Sequence, residues 1–378
     1  MKKNYSLFLL LFTMIGFAQA PANYYNNATG TGYALKTQLK TIITNGHNDQ
    51  GYNSLWNLYT HTSFRDNYYE NDGSLLDLYS ENPTSTDPYN YTSTSDQCGQ
   101  YSGEGDCYNR EHLVPQSYFD EYQINPMKND PFHVFPSDGK VNGDRNNLGF
   151  GIVGNANYTS QNGSKRGPMA STPYSNFTGV VFEPIDEFKG DVARAYFYFA
   201  TRYENLMGNF YNAANSNTCQ AKNMFDGSNN KVFSDDFILI LIKWHKQDPV
   251  SASEIAKNNR IYTYQGNRNP YIDNPDYVCN IWSTQCATVE ALLETTEFDY
   301  FASVKVFPNP TTTNRINIQS ETVLDEIQLI NVSGQIIQQV NKPAFNNNTF
   351  TLDNLSQGFY FLKLSSGNQS ITKKIIVN

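Results

Sequence analysis

Nowhere does this chain hold about 18 consecutive apolar residues, so no segment is built as a membrane span. Basic residues are in deficit, with 27 Lys and Arg against 36 Asp and Glu, a net charge of −9 and a pI near 5.1. That balance excludes a surface coated in positive charge for nucleic acid, although it leaves room for one local basic groove. CxxC and CxxxxC spacings are absent, which removes the usual structural zinc sites. Histidine is scarce as well, five in 378 residues, and one of the five sits directly beside a carboxylate.

What is present begins with an address. "MKK", "LFLLLFTMIGF" and "AQA" supply the positive, apolar and small-residue regions of a secretory signal. Cleavage after Ala20 would set Pro21 against the scissile bond, so the cut is expected after Ala18. The exported chain is expected to be a soluble monomer without stable membrane insertion. Its length predicts one large domain, residues 19–300, and a small one, residues 303–378. Export permits disulfides among the five cysteines. Local pairing joins Cys98 with Cys107 and Cys279 with Cys286 and leaves Cys219 single, and other pairings stay open. A bridge across so short a loop contributes roughly 2–3 kcal/mol on the chain-entropy model.

The pattern predicts an α+β chain followed by an all-β module. "ALKTQLKTIITNGH" repeats apolar residues at Leu35, Leu39 and Ile42 and stops at Gly46, an early amphipathic helix. Residues 81–108 read as a long loop, and "HVFP" as a short strand. "SDGKVNGDRNN" reads as a short helix capped by Ser137, with Asp138, Asn142 and Arg145 on one face. Further on, "GDVARAYFYFATRYENLM" predicts a helix capped by Asp191 and reaching about Met207, and "SDDFILILIKWHKQ" a buried helix. Ser251 and Glu254 form a capping box for the next one. After about residue 295 short alternating runs divided by Gly, Asn, Pro and Ser predict a sandwich of roughly seven strands.

The chemistry concentrates in "NREHLVP" and "KVNGDRNN". Phosphodiester hydrolysis needs an attacking water, a base for its proton and positive charge for the phosphorane. A neutral imidazole suits the base, which points to His112. Glu111 with the Asn142 carbonyl is an all-oxygen pair, suited to Mg²⁺ with its waters retained, or to Mn²⁺, rather than to zinc. Adjacent residues on a regular strand face opposite ways, so Glu111 and His112 share a site only if the strand ends or bulges there. Pro115 favours an ending. Arg145 and Arg268 are the candidates for holding phosphate. Against that role, Arg145 can instead pair with Asp144 or Asp138, and Arg268 can brace its loop. His133 reads as a structural group near the site.

Four stretches in order carry a resemblance: "CYNREHLVPQSYF", "NDPFHVFPSDGKVNGDRNNLGFG", "FKGDVARAYFYFATRYE" and "IYTYQGNRNPYIDNP". Over roughly residues 30–290 the chain resembles the secreted bacterial endonuclease I family. The resemblance implies a ββα-metal (His-Me finger) core with several added helices. It also implies cleavage of DNA, and in many members of RNA too, without sequence preference and with 5′-phosphate products. On the same ground His112 is the general base and Glu111 and Asn142 are the metal ligands. The chain departs from the family at Phe132, where a His-His pair is often written.

The tail, "VFPNPTTTNRINIQS", "LINVSGQII", "LSQGFYFLKL" and "KKIIVN", is similar to the C-terminal sorting domain of type IX secretion. That likeness implies export through the periplasm to the surface or medium, with the secretion machinery as partner. The competing class is a non-catalytic surface adhesin in which the same motifs only hold the fold.

Overall fold

The computed structural model describes residues 20–378 apart from Ser93, Gly99, Ala302 and Asn368. The expected signal, residues 1–18, lies outside the described residues. The chain divides into two compact units, one ending at Ala287 and the other Thr288–Asn378. The division falls inside the helix Ser283–Tyr300, so the composition break near 300 marks the end of that helix.

In the first unit, α1 (Gly32–Thr44) buries Leu35, Leu39 and Ile43. Ile43 takes the inward position expected of Ile42. Two strands then form an antiparallel pair, β1 (Tyr108–His112) and β2 (Val134–Asp138), with His112 opposite Val134 and Tyr108 opposite Asp138. α2 (Gly139–Arg145) follows β2 without a linker. Its cap is Asp138, whose side chain accepts from the Val141 N–H; the expected cap Ser137 is still within the strand. Two glycines make this helix weak by propensity, and packing compensates, because Val141 and Arg145 are buried. Gly139 leaves no space for a side chain. A Cβ there would lie 2.5 Å from Cys98 Sγ and 2.9 Å from the Tyr101 ring, so the disulfide-pinned loop rests on the start of α2.

A second small sheet, β3 (Tyr158–Thr159), β4 (Lys165–Pro168) and β5 (Val180–Glu183), is antiparallel throughout. The core helix is α3 (Lys189–Arg202), buried everywhere except Lys189. A helix that is apolar or aromatic all round belongs inside, and Tyr196, Phe197, Tyr198 and Phe199 fill that interior. Asp191 lies within its first turn, bonded to Arg194, and does not cap it. The helix stops at Arg202, and a separate short helix, Met207–Ala213, follows after a turn. α4 (Asp235–Gln247) is the buried helix expected from its sequence. α5 (Ala252–Gln265) opens with the Ser251–Glu254 capping box and closes at Gly266, which has φ +86°. Both local disulfides form, Cys98–Cys107 and Cys279–Cys286, and Cys219 is buried and free.

Among the described residues the second unit holds seven strands: β6 (Lys305–Phe307), β7 (Ile316–Gln319), β8 (Glu326–Asn331), β9 (Ile336–Asn341), β10 (Thr349–Leu352), β11 (Gly358–Ser366) and β12 (Gln369–Val377). They make two sheets, in the orders β10-β7-β6 and β12-β11-β8-β9. Ile316, Ile318, Ile327, Leu329, Leu362 and Ile375, contributed by both sheets, form a shared core. Among the described residues no helix is long and apolar enough to cross a membrane.

Candidate active site

β1 ends at His112, which removes the objection that neighbours on a strand face apart. Glu111 and His112 therefore line one cleft, and α2 brings Asn142 and Arg145 to the same cleft. The connection is direct: β2 pairs with β1, α2 starts just past Asp138 opposite Tyr108, and its last residue, Arg145, reaches the carbonyls of His112 and Leu113.

His112 is nearly buried. Its Nε2 lies 3.0 Å from the Lys128 carbonyl oxygen. A carbonyl only accepts, so Nε2 carries the proton and Nδ1 keeps the lone pair. Burial, then the neighbouring His133 ring, push its pKa down to about 3, so the ring is neutral at ordinary pH. His133 stands 5.9 Å away between ring centroids, with its Nε2 on the Met127 carbonyl. That is a bracing position near the site.

Glu111 is 2 % exposed. Its Oε1 accepts from the Tyr79 hydroxyl at 2.8 Å and from Arg145 Nη1 at 3.3 Å. Burial raises its pKa to about 6 against the opposing pull of Arg145 and Tyr79. Asn142 is half-buried, and its Nδ2 lies 3.5 Å from Ser137 Oγ. Among the described residues no protein donor reaches Glu111 Oε2 or Asn142 Oδ1. Two uncommitted oxygens of a carboxylate and an amide fit a hard divalent cation and do not suit zinc.

The two arginines fare differently from expectation. Arg145 reaches the cleft, yet it is 1 % exposed and donates to Glu111 and to the carbonyls of His112 (2.8 Å) and Leu113 (2.6 Å). Its fork is thus committed to the corner of β1. Arg268 does not line the cleft. Its guanidinium donates to both Asp273 oxygens and to Asn259, so the bracing alternative describes it. Arg110 lines the cleft as well, stacked 3.5 Å over Tyr52 and 4.1 Å over Trp56, with its Nη1 donating to the Tyr52 carbonyl at 2.9 Å. Arg110 stood in the "NREH" stretch without a signal of its own. Tyr79, which holds Glu111 from 32 positions away, has no local signature at all.

Comparison with known proteins decides the family. The model of the family described as "Endonuclease I" matches residues 31–276. The chain belongs to the Endonuclease I family. A second model, "Secretion system C-terminal sorting domain", matches residues 305–378. The extracellular ribonuclease of Bacillus amyloliquefaciens is 34 % identical over 261 residues, covering 68 % of this chain and 78 % of that protein. Its counterpart from Bacillus subtilis (strain 168) is 33 % identical over the same shares. A periplasmic deoxyribonuclease of Aeromonas hydrophila is 26 % identical over 152 residues, 40 % of this chain and 50 % of that protein. This Endonuclease I member is thus a secreted endonuclease with a C-terminal sorting domain. The family is typically metal-dependent, and the chain also carries an acidic cluster, Asp66, Glu70 and Glu81, away from the cleft lining.

Proposed function

We propose that this nuclease hydrolyses DNA and RNA phosphodiesters in the Glu111–His112–Asn142 cleft without sequence preference, leaving 5′-phosphates. The core unit would then be a ββα-metal fold, with β1, β2 and α2 as its two strands and helix. The observation that carries the reading is the convergence of a neutral, tautomer-fixed imidazole with two uncommitted oxygen donors in one cleft.

Glu111 and Asn142 would hold Mg²⁺, or Mn²⁺ in its place, and the ion would supply positive charge against the phosphorane. The chain's own residues do the rest. His112 Nδ1 takes the proton of the attacking water, while the Lys128 carbonyl keeps the ring's face and tautomer fixed. Arg145 and Tyr79 hold Glu111 in place. Arg110, on its aromatic shelf, is the group best disposed to meet a backbone phosphate. Contacts of this kind read phosphate and not base, which accounts for the lack of sequence preference.

Purified protein incubated with plasmid DNA and with structured RNA, with Mg²⁺ and with EDTA, tests the reading. Both substrates should be degraded only with the cation, and the fragments should be labelled by polynucleotide kinase only after phosphatase treatment. A discrete set of fragments, or ends that accept label directly, would contradict it.

A further inference from the structure

Outside the cleft, one carboxylate of an acidic cluster lacks the partners that its burial demands. Asp66, Glu70 and Glu81 each bring one oxygen within 4.8 Å of the others. Glu81 is 1 % exposed, and neither of its oxygens has a hydrogen-bond donor. A buried carboxylate with both oxygens unsatisfied costs several kcal/mol unless it is protonated or meets a cation. No lysine or arginine forms an ion pair with Asp66, Glu70 or Glu81 among the described residues. Asp66 is held by backbone N–H groups, its Oδ1 accepting from Tyr68 and Tyr69 and its Oδ2 from Asn71.

We propose that Asp66, Glu70 and Glu81 bind a calcium-class divalent cation that ties the 66–74 turn to the start of the long loop at Glu81. The donors are all carboxylate oxygens, which excludes a preference for soft or imidazole-seeking metals. Opposite ligands in a Ca²⁺ shell lie about 4.6–5.2 Å apart, so three oxygens within this spread fit around one ion, with water completing the shell. Glu70 is exposed and gives the ion its entrance.

The test uses the full chain, stripped with EDTA and desalted at pH 8, with thermal melting and calorimetric titration against CaCl₂. Four proteins are compared: wild type, Glu81→Gln, Glu70→Gln and Glu111→Gln. Calcium should raise the melting temperature of wild type and of Glu111→Gln by several degrees, which separates this site from the cleft. The rise should vanish in Glu81→Gln, and Ca²⁺ affinity at this site should fall at least about tenfold in Glu70→Gln. A wild-type melting temperature indifferent to Ca²⁺ overturns the proposal, as does an equal response in wild type and both cluster variants. Stabilisation by Mg²⁺ but not by Ca²⁺ overturns the calcium class. Should Glu81→Gln fail to fold, the exposed Glu70→Gln decides alone, and unchanged affinity there overturns the site.

Discussion

At the scale of single residues, the cleft is made of groups whose environment decides their role. Glu111 has a cation on one oxygen and, on the proposed reading, waits for another on the second. Glu111→Ala and Asn142→Ala should each raise the Mg²⁺ concentration needed for half-maximal cleavage by an order of magnitude or more, with Mn²⁺ a partial rescue. An unchanged Mg²⁺ requirement in both variants would remove them as ligands. Arg145 makes a different prediction, because replacing it leaves Glu111 buried without its partner. Arg145→Met should lose about 3–5 kcal/mol of stability, which a denaturant titration reads directly. A variant as stable as wild type would show the ion pair to be dispensable. Asp77 is fully buried and stands near Asp138, the cap of α2; burial, then Asp138, raise its pKa to about 8. A carboxyl whose pKa rises on folding stabilises most below its unfolded value near 4, and that contribution is lost as pH climbs through about 8. Asp77→Asn should therefore gain in melting temperature over wild type as pH rises from 5 to 8. A constant difference across that range would place the Asp77 proton elsewhere.

At the scale of elements, periodicity and capping made much legible: α1, α4, the capping box of α5 and the seven strands of the second unit follow from local pattern. Glu111, His112 and Asn142 became candidates because one of five histidines stands beside a carboxylate and because the motifs around them resemble a nuclease family. What stayed hidden depends on long-range contact. The Tyr79 bond to Glu111, the aromatic shelf under Arg110 and the commitment of Arg145 and Arg268 to neighbours come from tertiary packing that no window of sequence contains. The cap of α2 moved by one residue because strand and helix abut, with no turn between them. That abutment makes Gly139 informative. Gly139→Ala must push the Cys98–Cys107 loop or Tyr101 away from α2, and overpacking of this kind costs roughly 1–3 kcal/mol. Since α2 carries Asn142, cleavage should fall together with stability. Loss of stability with full activity in the folded protein would mean that α2 does not set the geometry of the cleft.

At the scale of the molecule, cleft and sorting domain occupy separate compact units, and every cleft residue lies before residue 150. A cut after residue 300 keeps the helix Ser283–Tyr300 whole on the nuclease side and removes the core of the second unit, which begins at Phe301. A chain of residues 21–300 should fold and cleave at close to the full-length rate, and in the native host a chain of residues 1–300, which keeps the signal, should be retained in the periplasm. Aggregation of the shorter chain, or normal secretion of the longer, would contradict the division of labour. The acidic surface also predicts that substrate affinity falls with salt along a shallow slope, because only a local patch neutralises phosphate. The most direct measurement of the whole account is plasmid cleavage by wild type and His112→Ala, each shown folded by circular dichroism, in Mg²⁺ and in EDTA. Wild type should be inactive in EDTA, and His112→Ala in Mg²⁺ should be slower by about 10²–10⁴ while the cation still raises its melting temperature. Equal cleavage in EDTA and Mg²⁺, or a folded His112→Ala protein cutting at the wild-type rate, would contradict it.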